Sequence, residues 1–201
     1  REKVAETDEE DIATVGLVAV DGQSGYPMAV MAPSKGGRDL EYFSRSMVRF
    51  AALMRHRRMT LMADQEPSLK DLFTKVVKAR EHETDVRWTP TGSSASNGRA
   101  ERMIQTVRKQ TVTMKLCWES RFGIPLLGAS CLLPWLFRHA AWILARYHVK
   151  VSGRTAYEDV HDTSFRQEIL PWGEIVLFRL PQHKAKLLPK LSTPWNRGLW
   201  V

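Results

Sequence analysis

Two cysteines in 201 residues, Cys117 and Cys131, with no CxxC pair and no Cys/His cluster beside them, leave no framework for disulfides and no zinc site. Both stand in apolar surroundings and read as ordinary core thiols of a reducing compartment. Long clean apolar runs are missing too. The most apolar region, 126–144, is broken by Pro134, Arg138 and His139, which describes a buried helix rather than a membrane span. The first eleven residues are mostly charged, so no secretory signal is expected. There is no internal repeat and no low-complexity tract. Acids are scarce in one half only: Lys and Arg stand against Asp and Glu at 14 to 15 over residues 1–96 and at 16 to 7 over 97–201. Nearly all of the net charge of +8 therefore lies in the second half, which favours a polyanion as its partner. Neither a membrane nor a small-molecule substrate is expected.

What is present reads as alternating strands and helices. Residues 1–11 are a polar arm. Residues 12–20 are apolar and β-branched and run into Asp21 and a glycine-flanked turn, so a hairpin with 26–32 as its return strand is expected. Apolar residues at helical spacing predict a helix over 37–54, closed by the cluster Arg55, His56, Arg57 and Arg58 at the negative end of its dipole. A short strand over 59–63 follows, then a helix over 68–79 with Leu69, Leu72, Phe73, Val76 and Val77 inward, and a strand over 85–88. Residues 90–98, PTGSSASNG, are flexible by composition and lead into a helix over 99–118 with Ile104, Val107, Thr111 and Met114 as its apolar stripe. A second apolar helix, 132–147, is expected to bury Trp135, Phe137, Trp142, Ile143 and Tyr147. After a loop the composition changes. A strand over 174–180, a basic linker over 183–190 and a strand beginning at 199–201 suggest a small β module.

Asp64 closes the strand over 59–63, and after thirty-six intervening residues Glu101 opens the long helix. Ligands gather at the carboxyl ends of strands in open α/β sheets, and hard cations such as Mg²⁺ or Mn²⁺ take carboxylate oxygens. Two acids at one sheet edge can serve two-metal phosphoryl transfer, in which one ion activates the attacking oxygen and another steadies the leaving one. Read alone, Asp64 is equally a turn-forming residue after a strand, and Glu101 an acid favoured by the helix dipole. Gln105 and Arg108 share the side of Glu101, so a basic, polar row continues from the acid along the helix.

The stretches MADQEPSL and SSASNGRAERMIQTV, at this spacing, resemble the catalytic core of a DDE-type integrase, specifically that of copia-like LTR retrotransposon polyproteins. VAVDGQSGYPMAV is similar to the second and third strands of that core, GRTAYEDV to the segment after its last helix, and the stretch from PWGEIVLFRL to RGLWV to the beginning of the small β-barrel that follows. The resemblance implies an α/β, RNase H-like mixed five-stranded sheet flanked by helices over 12–164, with the first strand missing or incomplete, and a truncated SH3-like module over 165–201. It implies Mg²⁺- or Mn²⁺-dependent 3′-end processing and strand transfer, with Asp64 and Glu101 as the second and third metal-binding acids. Asn97, Arg99, Arg102, Gln105, Arg108 and Lys109 are then the DNA-contacting residues, and double-stranded DNA, both element ends and target, is the partner of a homo-oligomer. Action in the nucleus, after cytoplasmic particles, belongs to the same expectation. Asp21 ends the second strand in this reading and is a turn residue, while Asp8 and Asp11 lie in a polar segment without strand pattern. The first acid is expected upstream, and the fragment alone is expected to be nearly inactive. A catalytically dead, domesticated RNase H-like DNA-binding module is the competing expectation.

Overall fold

The computed structural model describes residues 14–90, 94–181, 189 and 192–201, with the side chains of 94–97 also outside the description. β1 (Val15–Val20) and β2 (Pro27–Ala32) form an antiparallel hairpin in which Val15 faces Ala32 and Val20 faces Pro27. α1 (Gly37–Leu53) follows, then β3 (Met59–Ala63), α2 (Pro67–Ala79) and β4 (Thr84–Trp88), the two strands pairing in parallel from Met59 beside Thr84 to Ala63 beside Trp88. α3 (Ser94–Phe122) and α4 (Leu133–Tyr147) come next, then α5 (Ala156–His161) and a hairpin of β5 (Ile175–Arg179) and β6 (Trp195–Leu199).

Side chains alternate across a strand, and the first hairpin uses both of its faces. Val15, Leu17, Ala19, Val30 and Ala32 pack with Phe43 and Met47 of α1, Leu61 of β3, and Leu72, Phe73 and Val76 of α2. Val18, Ala29 and Met31 turn the other way, onto Met103, Val107 and Met114 of α3 and Phe137, Ala140, Ala141 and Leu144 of α4. The contact with α4 is close: a Cβ at Gly16 would stand 3.2 Å from the Phe137 ring, which would have to give by a few tenths of an ångström. The β3–β4 pair is covered on one side only, and Met62 on its open face is 52% exposed.

The mixed α/β architecture agrees with the sequence, whereas a continuous five-stranded sheet is not formed by the described residues. Their strands make three separate two-stranded sheets. β1 and β3 pack into the same apolar cluster without sharing a hydrogen-bonded ladder, so among the described residues each keeps an unpaired edge. Among the described residues no closed barrel follows either; β5 and β6 form a single hairpin, with the second strand centred earlier than residues 199–201.

Several local expectations are corrected. α3 begins at Ser94, inside the stretch read as flexible, because Ser94–Gly98 continues the helical path of the residues after it. Met103 rather than Ile104 enters the core, and Ile104 is exposed. Residues 156–161, expected as loop, form α5. Its signal is a capping box: the Glu158 N–H donates to Thr155 Oγ1 at 3.1 Å and the Thr155 N–H donates to the Glu158 carboxylate at 2.8 Å. Cys117 and Cys131 are exposed, not core thiols. Trp135, Tyr147 and Val77 are also exposed, Trp135 lying under the Arg138 guanidinium. The cluster 55–58 lies beyond the end of α1, and ion pairs occupy part of it: Arg58 meets Glu83 at 3.0 Å and His56 meets Asp21 at 2.6 Å.

Arg146 gathers the end of α4 against α5. Its guanidinium lies 4.1 Å from the Trp142 ring centroid, 5.2 Å from that of Tyr157 and 5.0 Å from that of Phe165, and its Nη1 donates to the Tyr26 hydroxyl at 3.2 Å. Leu136, fully buried between Leu126 and Trp172, anchors the other end of α4. Replacing Leu136 with Ala is expected to lower unfolding stability by about 3 kcal/mol. The same change at exposed Leu116 is expected to cost under about 0.5 kcal/mol, both read by urea denaturation.

Candidate functional site

Asp64 follows the last residue of β3, at the carboxyl end of the parallel β3–β4 pair. Thr89, immediately after β4, is buried and joins the two strand ends. Its N–H donates to the Ala63 carbonyl at 3.0 Å, and its hydroxyl donates to Asp64 Oδ1 at 2.6 Å. The Gln65 side-chain amide reaches the Thr89 carbonyl at 3.4 Å. Asp64 is thus oriented by a residue that sequence reasoning passed over. The second carboxylate oxygen has no hydrogen-bond partner among the described residues. The nearby Lys35 cation is engaged by Glu66, whose carboxyl is held below its usual range by that contact and by the Ser68 hydroxyl.

Glu101 lies in the first turns of α3 and is exposed, as are Arg99, Arg102, Gln105, Arg108 and Lys109. None of these charged groups forms an ion pair among the described residues. Arg99 Nη1 donates to the Gly22 carbonyl, which ties the start of α3 to the β1–β2 turn. Spacings of four and seven residues set Gln105 and Arg108 on the Glu101 side, as expected from the helical repeat. The side chain of Asn97 lies outside the described residues.

The two acids are held from different ends of the first hairpin. The ion pair of His56 with Asp21 sets the start of β3 at the turn end, and the pair of Lys35 with Glu66 sets its far end near the residues that follow β2. Asp64 belongs to that far end, whereas Arg99 fixes the start of α3 at the turn. No described contact joins Asp64 to Glu101, and among the described residues no three His, Cys, Asp or Glu side chains converge as a metal cluster. The donor chemistry nevertheless suits a hard divalent cation, since both carboxylates keep oxygen atoms without described partners.

Asp21 has the turn role expected of it. Its Oδ2 accepts from the N–H and the hydroxyl of Ser24, both at 2.7 Å, and its Oδ1 contacts His56. Burial by itself raises the Asp21 carboxyl, and the Ser24 and His56 donors more than offset this, holding it below its ordinary value. Because the folded value lies below the unfolded one, the carboxylate stabilises the fold fully above about pH 4 and loses that contribution as pH falls through the folded value. Replacing Asp21 with Asn is therefore expected to lower stability at pH 7 and to flatten its decline between about pH 4 and pH 2, measured by thermal unfolding across that range.

No family model matches the sequence, and no curated protein does. Solved structures do. The catalytic core domain of BIV integrase superposes with a TM-score of 0.52 at 16% identity, over 74% of this chain and 86% of that one. A simian T-cell lymphotropic virus intasome chain, from a complex with the PP2A regulatory subunit B56 gamma, superposes with a TM-score of 0.55 at 13% identity, over 92% of this chain and 60% of that one. The chain has the fold of these integrase structures, with the β3–β4 pair and α3 carrying the two acids singled out from its sequence.

Proposed function

We propose that the chain is an integrase catalytic core of a copia-like LTR retrotransposon polyprotein, which inserts element DNA into target DNA by metal-dependent polynucleotidyl transfer. The observation that carries this reading is Asp64, exposed at the carboxyl end of a parallel strand pair and oriented by the buried Thr89, on a fold shared with integrase cores. Asp64 and Glu101 are its second and third acids. The first acid comes from a further strand set between the unpaired edges of β1 and β3, which joins the two ribbons into a five-stranded sheet. The β5–β6 hairpin is the beginning of the small β-barrel that follows.

Asp64 and Glu101 would hold Mg²⁺ or Mn²⁺, which supplies activation of the attacking oxygen and stabilisation of the leaving one. The chain's own residues position the nucleic acid. Arg99, Arg102, Arg108 and Lys109 meet phosphates of double-stranded DNA, while Gln105 and Asn97 offer neutral donors and acceptors beside them. The working form is a homo-oligomer acting in the nucleus. A second reading, an inactive RNase H-like DNA-binding module, is favoured by the lack of any described contact between the two acids.

An extended protein that includes an upstream acid-bearing strand separates the two readings in a strand-transfer assay with Mg²⁺ or Mn²⁺. Asp64→Ala and Glu101→Ala are each expected to reduce its rate by more than the roughly 100-fold that loss of an outer-shell partner costs at a metal site. Absence of strand transfer by the extended protein itself supports the inactive module instead, and variant rates equal to those of an active parent remove Asp64 and Glu101 from the catalytic site. Arg108→Glu is expected to weaken binding of an element-end duplex more than Arg45→Glu at an exposed position of α1, and to flatten the salt dependence of binding by at least about one unit of logarithmic slope. Equal effects of the two changes remove Arg108 from the DNA site.

A further inference from the structure

Each polar group of Thr89 is spent on one of three consecutive residues at the end of β3. Its N–H donates to the Ala63 carbonyl at 3.0 Å, its hydroxyl donates to Asp64 Oδ1 at 2.6 Å, and its carbonyl accepts from the Gln65 side-chain amide at 3.4 Å. The hydroxyl also lies 3.4 Å from the Ala63 carbonyl, and the much shorter contact shows that its single proton goes to the carboxylate. Thr89 has little room to turn away. It is buried, and the preceding Trp88, beside Ala63 in the parallel register, stacks its ring on Phe73 of α2 at 5.3 Å. A β-branched side chain in such a place is stiff at χ1, and the carboxylate it holds inherits that order.

The two oxygens of Asp64 are consequently unequal. Oδ1 has given a lone pair to Thr89, whereas Oδ2 has no partner among the described residues, and the nearby Lys35 cation is taken by Glu66. Mg²⁺ keeps a strict octahedron at about 2.0–2.1 Å and needs only one oxygen of a carboxylate. Ca²⁺ gathers roughly six to eight oxygens and often chelates both of one carboxylate, so here it would have to share Oδ1 with the hydroxyl. We infer that Thr89 is a positioning residue that restricts Asp64 to ligation through one oxygen, and thereby makes the site favour Mg²⁺ and Mn²⁺ over Ca²⁺. It acts through Asp64 alone. The inference rests on the reading of Asp64 as a metal ligand and adds the device that sets which ion that ligand accepts.

Paramagnetic broadening of amide NMR signals tests it on the isotope-labelled chain, with Mn²⁺ added first and then displaced by Mg²⁺ or by Ca²⁺. Broadening is expected to centre on Asp64 and Gln65, to vanish in Asp64→Asn, and to be reversed at lower concentration by Mg²⁺ than by Ca²⁺. Thr89→Val removes the hydroxyl and keeps both the side-chain shape and the N–H bond to Ala63. It is expected to weaken Mn²⁺ binding about 10-fold or more, the cost of losing an outer-shell partner, and to bring the two displacing concentrations together. Thr89→Ser returns the hydroxyl and is expected to restore both properties. A merely structural role would leave the ratio of the two concentrations where it was. Equal displacement by Mg²⁺ and Ca²⁺ in the unsubstituted chain overturns the inference, as does a preference for Mg²⁺ that persists in Thr89→Val. Where valine shifts the thermal unfolding midpoint, Thr89→Ala carries the same comparison. Mn²⁺ that leaves Asp64 sharp is a separate result: it removes the acid from any metal site, and the inference falls with that reading.

Discussion

Everything in the chain is arranged by the need to bury both faces of one short strand. β2 gives Val30 and Ala32 to one apolar cluster and Ala29 to another, and each cluster is completed by a different pair of helices. A strand of six residues cannot stand in water with both faces apolar, so α1 with α2 and α3 with α4 must close on it from opposite sides. That requirement separates the elements bearing the two candidate acids. The β3–β4 pair shares the α1–α2 side, and α3 covers the other. The acids can act together only at a margin where these layers meet, and their relative position is governed by how the hairpin is bordered.

Parity and helical period explain which parts were legible in advance. The β3 boundaries, the inward face of α2 apart from Val77 and the turn role of Asp21 all follow from apolar spacing or from Asp next to Gly, and the structure shows each. The failures have physical causes. Ile104 and Met103 are adjacent on α3 and both apolar, so period alone cannot decide which one enters the core; the Leu144 and Ala141 surface decides for Met103. The exposure of Trp135, Cys117 and Cys131 depends on where α4 crosses α3, a long-range property that no local pattern encodes. α5 was legible in principle, since Thr155 and Glu158 stand at capping-box spacing. At the candidate site, Asp64 at a strand end and the exposed row on α3 were readable; the hydroxyl of Thr89 upon Asp64 was not, because it requires the parallel register of β3 and β4.

Charge is deployed differently on the two sides of the hairpin. Along α1, α2 and the β4 approach, acids and bases neutralise one another in pairs such as Lys75 with Glu41 and Arg58 with Glu83. Exposed pairs of this kind contribute little to stability and chiefly cancel the field around them. The row on α3 has no such cancellation among the described residues, so its field extends into solvent over roughly a Debye length of 8–10 Å. Its attraction for a polyanion should fall steeply with salt while the stability of the fold changes little.

α3 runs unbroken for 29 residues, about 43 Å, from the turn of the first hairpin to the second. At its far end Trp118 packs so closely on Gly173 that a Cβ there would come within 2.6 Å of the indole, and Arg121 grips Glu174. The helix is therefore a lever clamped near both ends. A tilt of 5° about Trp118 carries the turn bearing Arg102 through roughly 2 Å, over sixteen helical steps of about 1.5 Å each. α3 therefore couples the position of the β5–β6 hairpin to that of the β1–β2 turn.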